Sequence, residues 1–280
     1  MIFHGLFICM STFFFDIETS NQYVDLFLNK IINRGCTGMS IATTFMLVHG
    51  SCHGGWCWQK VTPLLRNRGY KVYTPTLTGL GERSHIVRKD IDLNTHILDI
   101  TQVFEYEDLN DVILVGHSYG GMVISGVAEK IPHRIKRLVY LDGYIPQDGK
   151  SAFDLIPGLK EIYEKRSMKQ QGKEWLVPSY EPQIWGVTNP EDIAWMRNRL
   201  CPMPWHTHDQ PLRMQNIQSK KLAKSYISCT DFKDFHFMAQ RVKSEEGGVW
   251  DYHELKTGHD AMVTIPNELV QLLLEISIKQ

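Results

Sequence analysis

The sequence predicts an α/β protein with a mainly parallel central sheet, flanked by helices and interrupted by an inserted helical cap. Three observations carry that prediction. Phe45 to Val48, Val112 to Val115 and Leu138 to Leu141 are short, wholly apolar runs, the pattern of strands buried on both faces. Stretches with helical spacing, Trp56 to Arg68, Leu93 to Phe104 and Met122 to Lys130, fall between them. Strands alternating with helices form parallel crossover units whose helices cover the sheet on both sides.

Taken in order, the first run ends at His49-Gly50, and the helix after it is expected to stop at Gly69. Tyr70 to Leu77 alternates like a strand and runs into a Thr78-Gly79-Leu80-Gly81 loop. Val112 to Val115 meets a glycine-rich corner at Gly116, and Pro132 closes the helix beyond it. Tyr226 to Cys229 and Val249 to Leu255 read as the late strands. Between about residues 145 and 221 the rhythm breaks. That stretch holds eight of the 12 prolines and four of the seven tryptophans, Trp175, Trp185, Trp195 and Trp205, and is read as the cap. Within it, Asn189-Pro190-Glu191-Asp192 has the form of a helix start, with Asn as N-cap, Pro at the first position and acids in the first turn.

The 280 residues allow one large domain or two small ones. Thirty Lys+Arg against 31 Asp+Glu leave no surplus cation for neutralising phosphates, which argues against a nucleic-acid partner. No apolar run approaches the ~18 residues of a membrane span. Six scattered cysteines without a C-x-x-C pair point to free thiols and a cytoplasmic setting. Residues 1 to 38 are apolar and aromatic, yet they lack the basic start and small-residue end of a secretory signal. They are read as an extension of no assigned role, with a membrane-surface anchor as the second reading. The main folded domain is expected over residues 39 to 280. Nothing in the composition opposes a homo-oligomer.

The chemistry begins at Gly116-His117-Ser118-Tyr119-Gly120, a G-x-S-x-G pattern between an apolar strand and a helix. That setting is what a nucleophile elbow requires: a sharp turn holds the serine in a strained conformation, and side chains at the glycines would strike the adjoining elements. A serine nucleophile needs a base oriented by an acid, in the chain order Ser, acid, His. His259, in Thr257-Gly258-His259-Asp260 after the last strand, is the expected base, ahead of His236 and His253. Asp231, directly after Tyr226-Ile227-Ser228-Cys229-Thr230, is the favoured acid. Asp142, after Leu138 to Leu141, is the alternative, and Asp234 is a third choice. The oxyanion donors are expected to be the backbone amides of Tyr119 and Ser51, the latter in the His49-Gly50-Ser51-Cys52-His53-Gly54-Gly55 loop. His49, His53 and His117 are assigned to loop geometry. His206-Thr207-His208-Asp209 comes nearest to a metal-ligand cluster but lacks a second ligand pair, so neither metal nor cofactor is expected.

With these residues in view, the chain from about Phe45 onward resembles the α/β-hydrolase-fold esterases. Its His49 to Trp58 loop is similar to that of plant methylesterases and hydroxynitrile lyases. Thr74 to His85, Gly116 to Met122 and Thr257 to Met262 more closely resemble a bacterial branch that includes pyrethroid-hydrolysing carboxylesterases. The resemblance implies a Ser118, Asp231, His259 triad with oxyanion amides at Ser51 and Tyr119. The lysine that follows the base in the lyases is replaced by Asp260, whose anion would repel cyanide. The expected function is therefore serine carboxylesterase activity on a small to medium apolar or aromatic ester. Hydrolysis of an amide, thioester or carbon–carbon bond, or ligand reception without turnover, are the alternatives.

Overall fold

The computed structural model describes residues 43–167, 172–244 and 250–279. The expectations placed on residues 1 to 38, and on a domain start near Met39, lie outside them. Thr44–Val48 (β1), Lys71–Tyr73 (β2), Val112–His117 (β3) and Ile135–Leu141 (β4) form four adjacent strands of a sheet. A two-stranded antiparallel ribbon, Leu176–Val177 (β5) and Met203–Pro204 (β6), stands apart from it. Ala223–Cys229 (β7) and Trp250–Leu255 (β8) complete a six-stranded sheet in the order β2-β1-β3-β4-β7-β8, with every neighbouring pair parallel.

The apolar runs are continuous because the sheet is covered twice. Phe45 and Leu47 of β1, with Ile113 and Val115 of β3, face one core; Met46, Val48, Val112 and Leu114 face the other. The second core is closed by Leu93–Tyr106 (α2, after Thr62–Arg66, α1) and Gly120–Lys130 (α3). The first is closed by Leu65 of α1 and by Leu269, Leu273 and Ile276 of a C-terminal helix, Pro266–Ser277. At roughly 1.5–3 kcal/mol for each fully buried large aliphatic side chain, β1 alone anchors the sheet strongly. A capping box starts α2: the Asp92 carboxylate accepts from Thr95 N at 2.8 Å, an arrangement worth about 1 kcal/mol.

Two elements are shorter than expected. The helix expected over Trp56 to Arg68 divides into a 3-10 turn, Gly55–Trp58, and α1, because Pro63 begins a new helix and cannot continue an old one. The strand expected over Tyr70 to Leu77 pairs only over three residues of β2, at the sheet edge, where Pro75 has no amide to give the ladder.

Between β4 and β7 the chain leaves the sheet. It forms short helices at Ala152–Leu155 (α4), Leu159–Arg166 (α5), Pro190–Arg197 (α6), His206–Asp209 (α7) and Ile217–Lys221 (α8), together with the β5–β6 ribbon. Asn189 caps α6 as its sequence predicts, accepting from Glu191 N at 2.8 Å and Asp192 N at 3.3 Å. Among the described residues no helix is long and apolar enough to cross a membrane.

Candidate active site

Ser118 sits where β3 turns into α3, with φ at +53°, in the left-handed region that non-glycine residues avoid. Its amide donates to Leu141 O at 3.1 Å, and its carbonyl accepts from Gly121 N and Tyr144 N, each at 3.0 Å. The turn is held on three sides. A Cβ at Gly116 would lie 2.6 Å from Gly120 O, one at Gly120 2.9 Å from Val48 O, and one at Gly121 2.2 Å from Tyr144 O. The glycines are therefore needed for close packing as well as for the turn, and the strain at Ser118 is maintained by that packing.

His259 follows β8 in a loop fixed by its own amide, which donates to Trp185 O at 2.8 Å. The imidazole is buried, packed by the rings of Phe232 and His117 at 4.5 Å and Phe235 at 5.0 Å. The other late histidines are engaged elsewhere, His236 with Thr230 O and His253 with Asp251.

The acid is where the structure departs from expectation. His259 Nδ1 lies 2.7 Å from Asp142 Oδ2, and Asp142 is 1% exposed. Its other oxygen accepts from Cys229 N at 3.2 Å. Asp231, the favoured candidate, is exposed; its amide continues the edge of β7 by donating to Thr257 O at 3.0 Å. Asp234 is also exposed, at the wall of the cavity described below. Strand order explains the correction. β4 lies between β3, which carries Ser118, and β7, and Asp142 is the first residue past its end. A φ of +43° turns the chain there, and Gly143 follows. An aspartate that tolerates this conformation, placed before a glycine after a fully buried strand, is the sequence signal that could have favoured it.

The loop from His49 to Gly55 is wired by histidines. Leu77 N donates to His49 Nε2, so His49 carries its proton on Nδ1 and gives it to Gly50 O. Burial holds this imidazole neutral, lowering its pKa to about 3. His53 Nδ1 lies 2.7 Å from Ser51 O, and His117 Nε2 is 3.1 Å from His259 O. Gly50 leaves no room for a side chain: its Cβ would lie 2.8 Å from that of Ser118. Among the described residues the amides of Ser51 and Tyr119 donate to no protein group.

Sequence reasoning missed how the inserted segment grips this loop. His208, considered only as a metal ligand, is buried and places Nε2 3.1 Å from Ser51 Oγ, with its ring stacked 4.8 Å from Tyr119. Thr207 Oγ1 donates to Pro204 O and therefore accepts from His208 Nδ1, leaving Nε2 to accept from Ser51. Cys201 N donates to Cys52 O at 3.1 Å.

Ser118, His259 and Ser51 line one cavity of about 450 Å³, roofed by apolar side chains of the insertion, among them Ile156, Leu159 and Tyr163. Of the four tryptophans there, only Trp185 lines it. Trp195 packs edge-on to Trp56, Trp205 packs on Phe153, and Trp175 donates to Gly172 O.

Comparison with known proteins agrees with this fold. The family described as Alpha/beta hydrolase family matches residues 45–272. A carbendazim hydrolyzing esterase from Nocardioides sp. (strain SG-4G) is 36% identical over 241 residues, covering 82% of this chain and 97% of the relative. Salicylic acid-binding protein 2 from Nicotiana tabacum is 28% identical over 259 residues, covering 84% and 97% respectively. Among solved structures, an extracellular alpha/beta-hydrolase from a Paenibacillus species superposes with a TM-score of 0.74 at 25% identity, covering 85% of this chain and all of the other. A strained serine at a strand–helix turn, a buried histidine from the last strand's loop and a family match across the whole sheet lead to one conclusion: the chain belongs to the alpha/beta hydrolase family.

Proposed function

We propose that the protein is a serine carboxylesterase in which Ser118 is the nucleophile, His259 the base and Asp142 the orienting acid, acting on an uncharged apolar or aromatic ester. The observation that carries this reading is the buried His259–Asp142 contact at 2.7 Å beside a serine held at φ +53° in the same cavity. Because Asp142 accepts a hydrogen bond from Nδ1–H and so keeps the proton on that nitrogen, Nε2 is left to accept the Ser118 proton as Oγ attacks the ester carbonyl. The amides of Ser51 and Tyr119 receive the oxyanion. Collapse of the adduct expels the alcohol, which takes the proton from His259, and water repeats the sequence to release the acid.

The relatives support the bond type, since one is named as an esterase. The cavity supports the substrate class: among the described residues no Lys or Arg lines it, and Tyr180, Trp185 and Phe235 give it aromatic walls. In this reading residues 145 to 221 form the cap, and residues 39 to 280 the hydrolytic domain. The test is turnover of 4-nitrophenyl and aryl esters of increasing acyl length with Ser118→Ala as control. Multiple turnover abolished by that substitution is expected. Full activity in the variant would overturn the nucleophile, and stoichiometric binding without turnover would favour a receptor.

A further inference from the structure

Asp260 follows the base directly and is buried completely, yet neither carboxyl oxygen has a hydrogen-bond partner. Its Oδ1 faces two imidazoles, with His53 Nε2 at 3.5 Å and His117 Nε2 at 3.6 Å. Their tautomers follow from their other contacts. His53 gives its Nδ1 proton to Ser51 O, so a neutral His53 presents a lone pair to Asp260. His117 gives its Nε2 proton to His259 O, and only a weak share of it reaches Oδ1. A carboxylate would thus place two acceptors face to face in a buried site, an arrangement costly without a proton between them.

We propose that Asp260 is a positioning residue held as the neutral acid, donating its O–H to His53 Nε2 and so tying the Ser51 loop to the loop that carries His259. The separation of 3.5 Å closes to bonding distance once the proton occupies it. The surroundings favour this state. The groups facing Asp260 are His53, His117, His259, Asp142 and the thiols of Cys57 and Cys229. Burial is the largest influence on Asp260 and raises its pKa against the opposing pull of His53 and His259, with the Asp142 charge adding to the rise, while burial lowers the pKa values of His53 and His117. Both thiols are pushed up and stay neutral. A neutral Asp260 also leaves Asp142, 2.7 Å from His259 Nδ1, as the carboxyl group that orients His259. The anion expected at this position from the sequence is replaced by an uncharged donor.

The proposal rests on the esterase reading for its kinetic consequences, so the test has an arm that does not use activity. Infrared spectra of the wild-type enzyme at neutral pH are expected to contain a protonated-carboxyl carbonyl band that is missing from Asp260→Asn. Absence of that band overturns the proposal whether or not the protein hydrolyses esters. In the kinetic arm, Asp260→Asn keeps a donor for His53 and is expected to retain kcat within about threefold. Asp260→Ala is expected to lose about 10- to 100-fold in kcat at unchanged KM, part of the 10²–10³ that an oxyanion donor supplies. The kcat/KM profile of the wild type should carry an alkaline limb as the shared proton is lost, and Asp260→Asn should lack it. Identical profiles, or an Asn variant as impaired as the Ala variant, would refute the positioning role. Should the Ala variant fail to fold, the infrared band and the Asn profile decide the question.

Discussion

Asp142→Asn probes the proposed acid. The substitution is isosteric, and its carbonyl oxygen can still accept the Cys229 amide now bonded at 3.2 Å, so the fold should persist. What changes is the partner of His259 Nδ1, 2.7 Å away. An amide turned with its nitrogen toward the ring donates where the carboxylate accepted. The imidazole then holds its proton on Nε2, the nitrogen needed to receive one from Ser118. The wrong tautomer and the loss of charge stabilisation for the imidazolium together lower kcat by roughly 10³- to 10⁴-fold, or about 4–5.5 kcal/mol of transition-state stabilisation. Asp231→Asn, at an exposed side chain, is expected to stay within twofold of wild type. The assay is steady-state hydrolysis of 4-nitrophenyl butyrate at pH 7.5 for both variants, with thermal melts to confirm folding. A folded Asp142→Asn enzyme that keeps a tenth or more of its activity, while Asp231→Asn loses orders of magnitude, would refute the assignment.

Three further outcomes follow from the packing. His49 and His208 each have a pKa lowered to about 3 by burial, so between that value and their unfolded value of 6.5 only the unfolded chain takes up the protons. Their stabilisation is complete above pH 6.5 and falls as pH drops, by about 2 kcal/mol per histidine at pH 5. Urea midpoints from pH 7.5 to 5 should decline accordingly, and His208→Gln should flatten the slope. Gly121→Ala would push a methyl to 2.2 Å from Tyr144 O, and urea denaturation should show a loss of about 3 kcal/mol, the upper part of the range for overpacking. Trp185→Ala should raise KM for bulky aryl esters with little change for 4-nitrophenyl acetate, whereas Trp205→Ala should lower the melting temperature and leave that KM ratio alone.

Much of the molecule was legible without coordinates. Period-free apolar runs marked β1, β3 and β4 because a strand covered on both faces cannot alternate. Gly116, Ser118 and Gly120 could be read as a tight strand-to-helix turn because the pattern of that turn is local, although the contacts that hold it reach Val48, Leu141 and Tyr144. The position of His259 was legible too, in the loop after the last strand, with His253 inside that strand and His236 on a helix.

Which carboxylate meets His259 was not legible, because that contact is decided across the sheet. The sequence places Asp231 nearer than Asp142 to His259 along the chain, but order in space is β3-β4-β7-β8, and Asp142, the first residue past β4, is the one that reaches His259. Likewise four tryptophans in the insertion look equivalent in one dimension, and only the fold selects Trp185 for the cavity. His208 lies 157 residues from Ser51, and no local pattern could join them. The sequence by itself determined which elements form and where the chain must turn, since those depend on neighbouring residues and their covering. The tertiary structure decided which side chains meet, because contacts between strand ends, and the protonation states they impose, depend on distances through space.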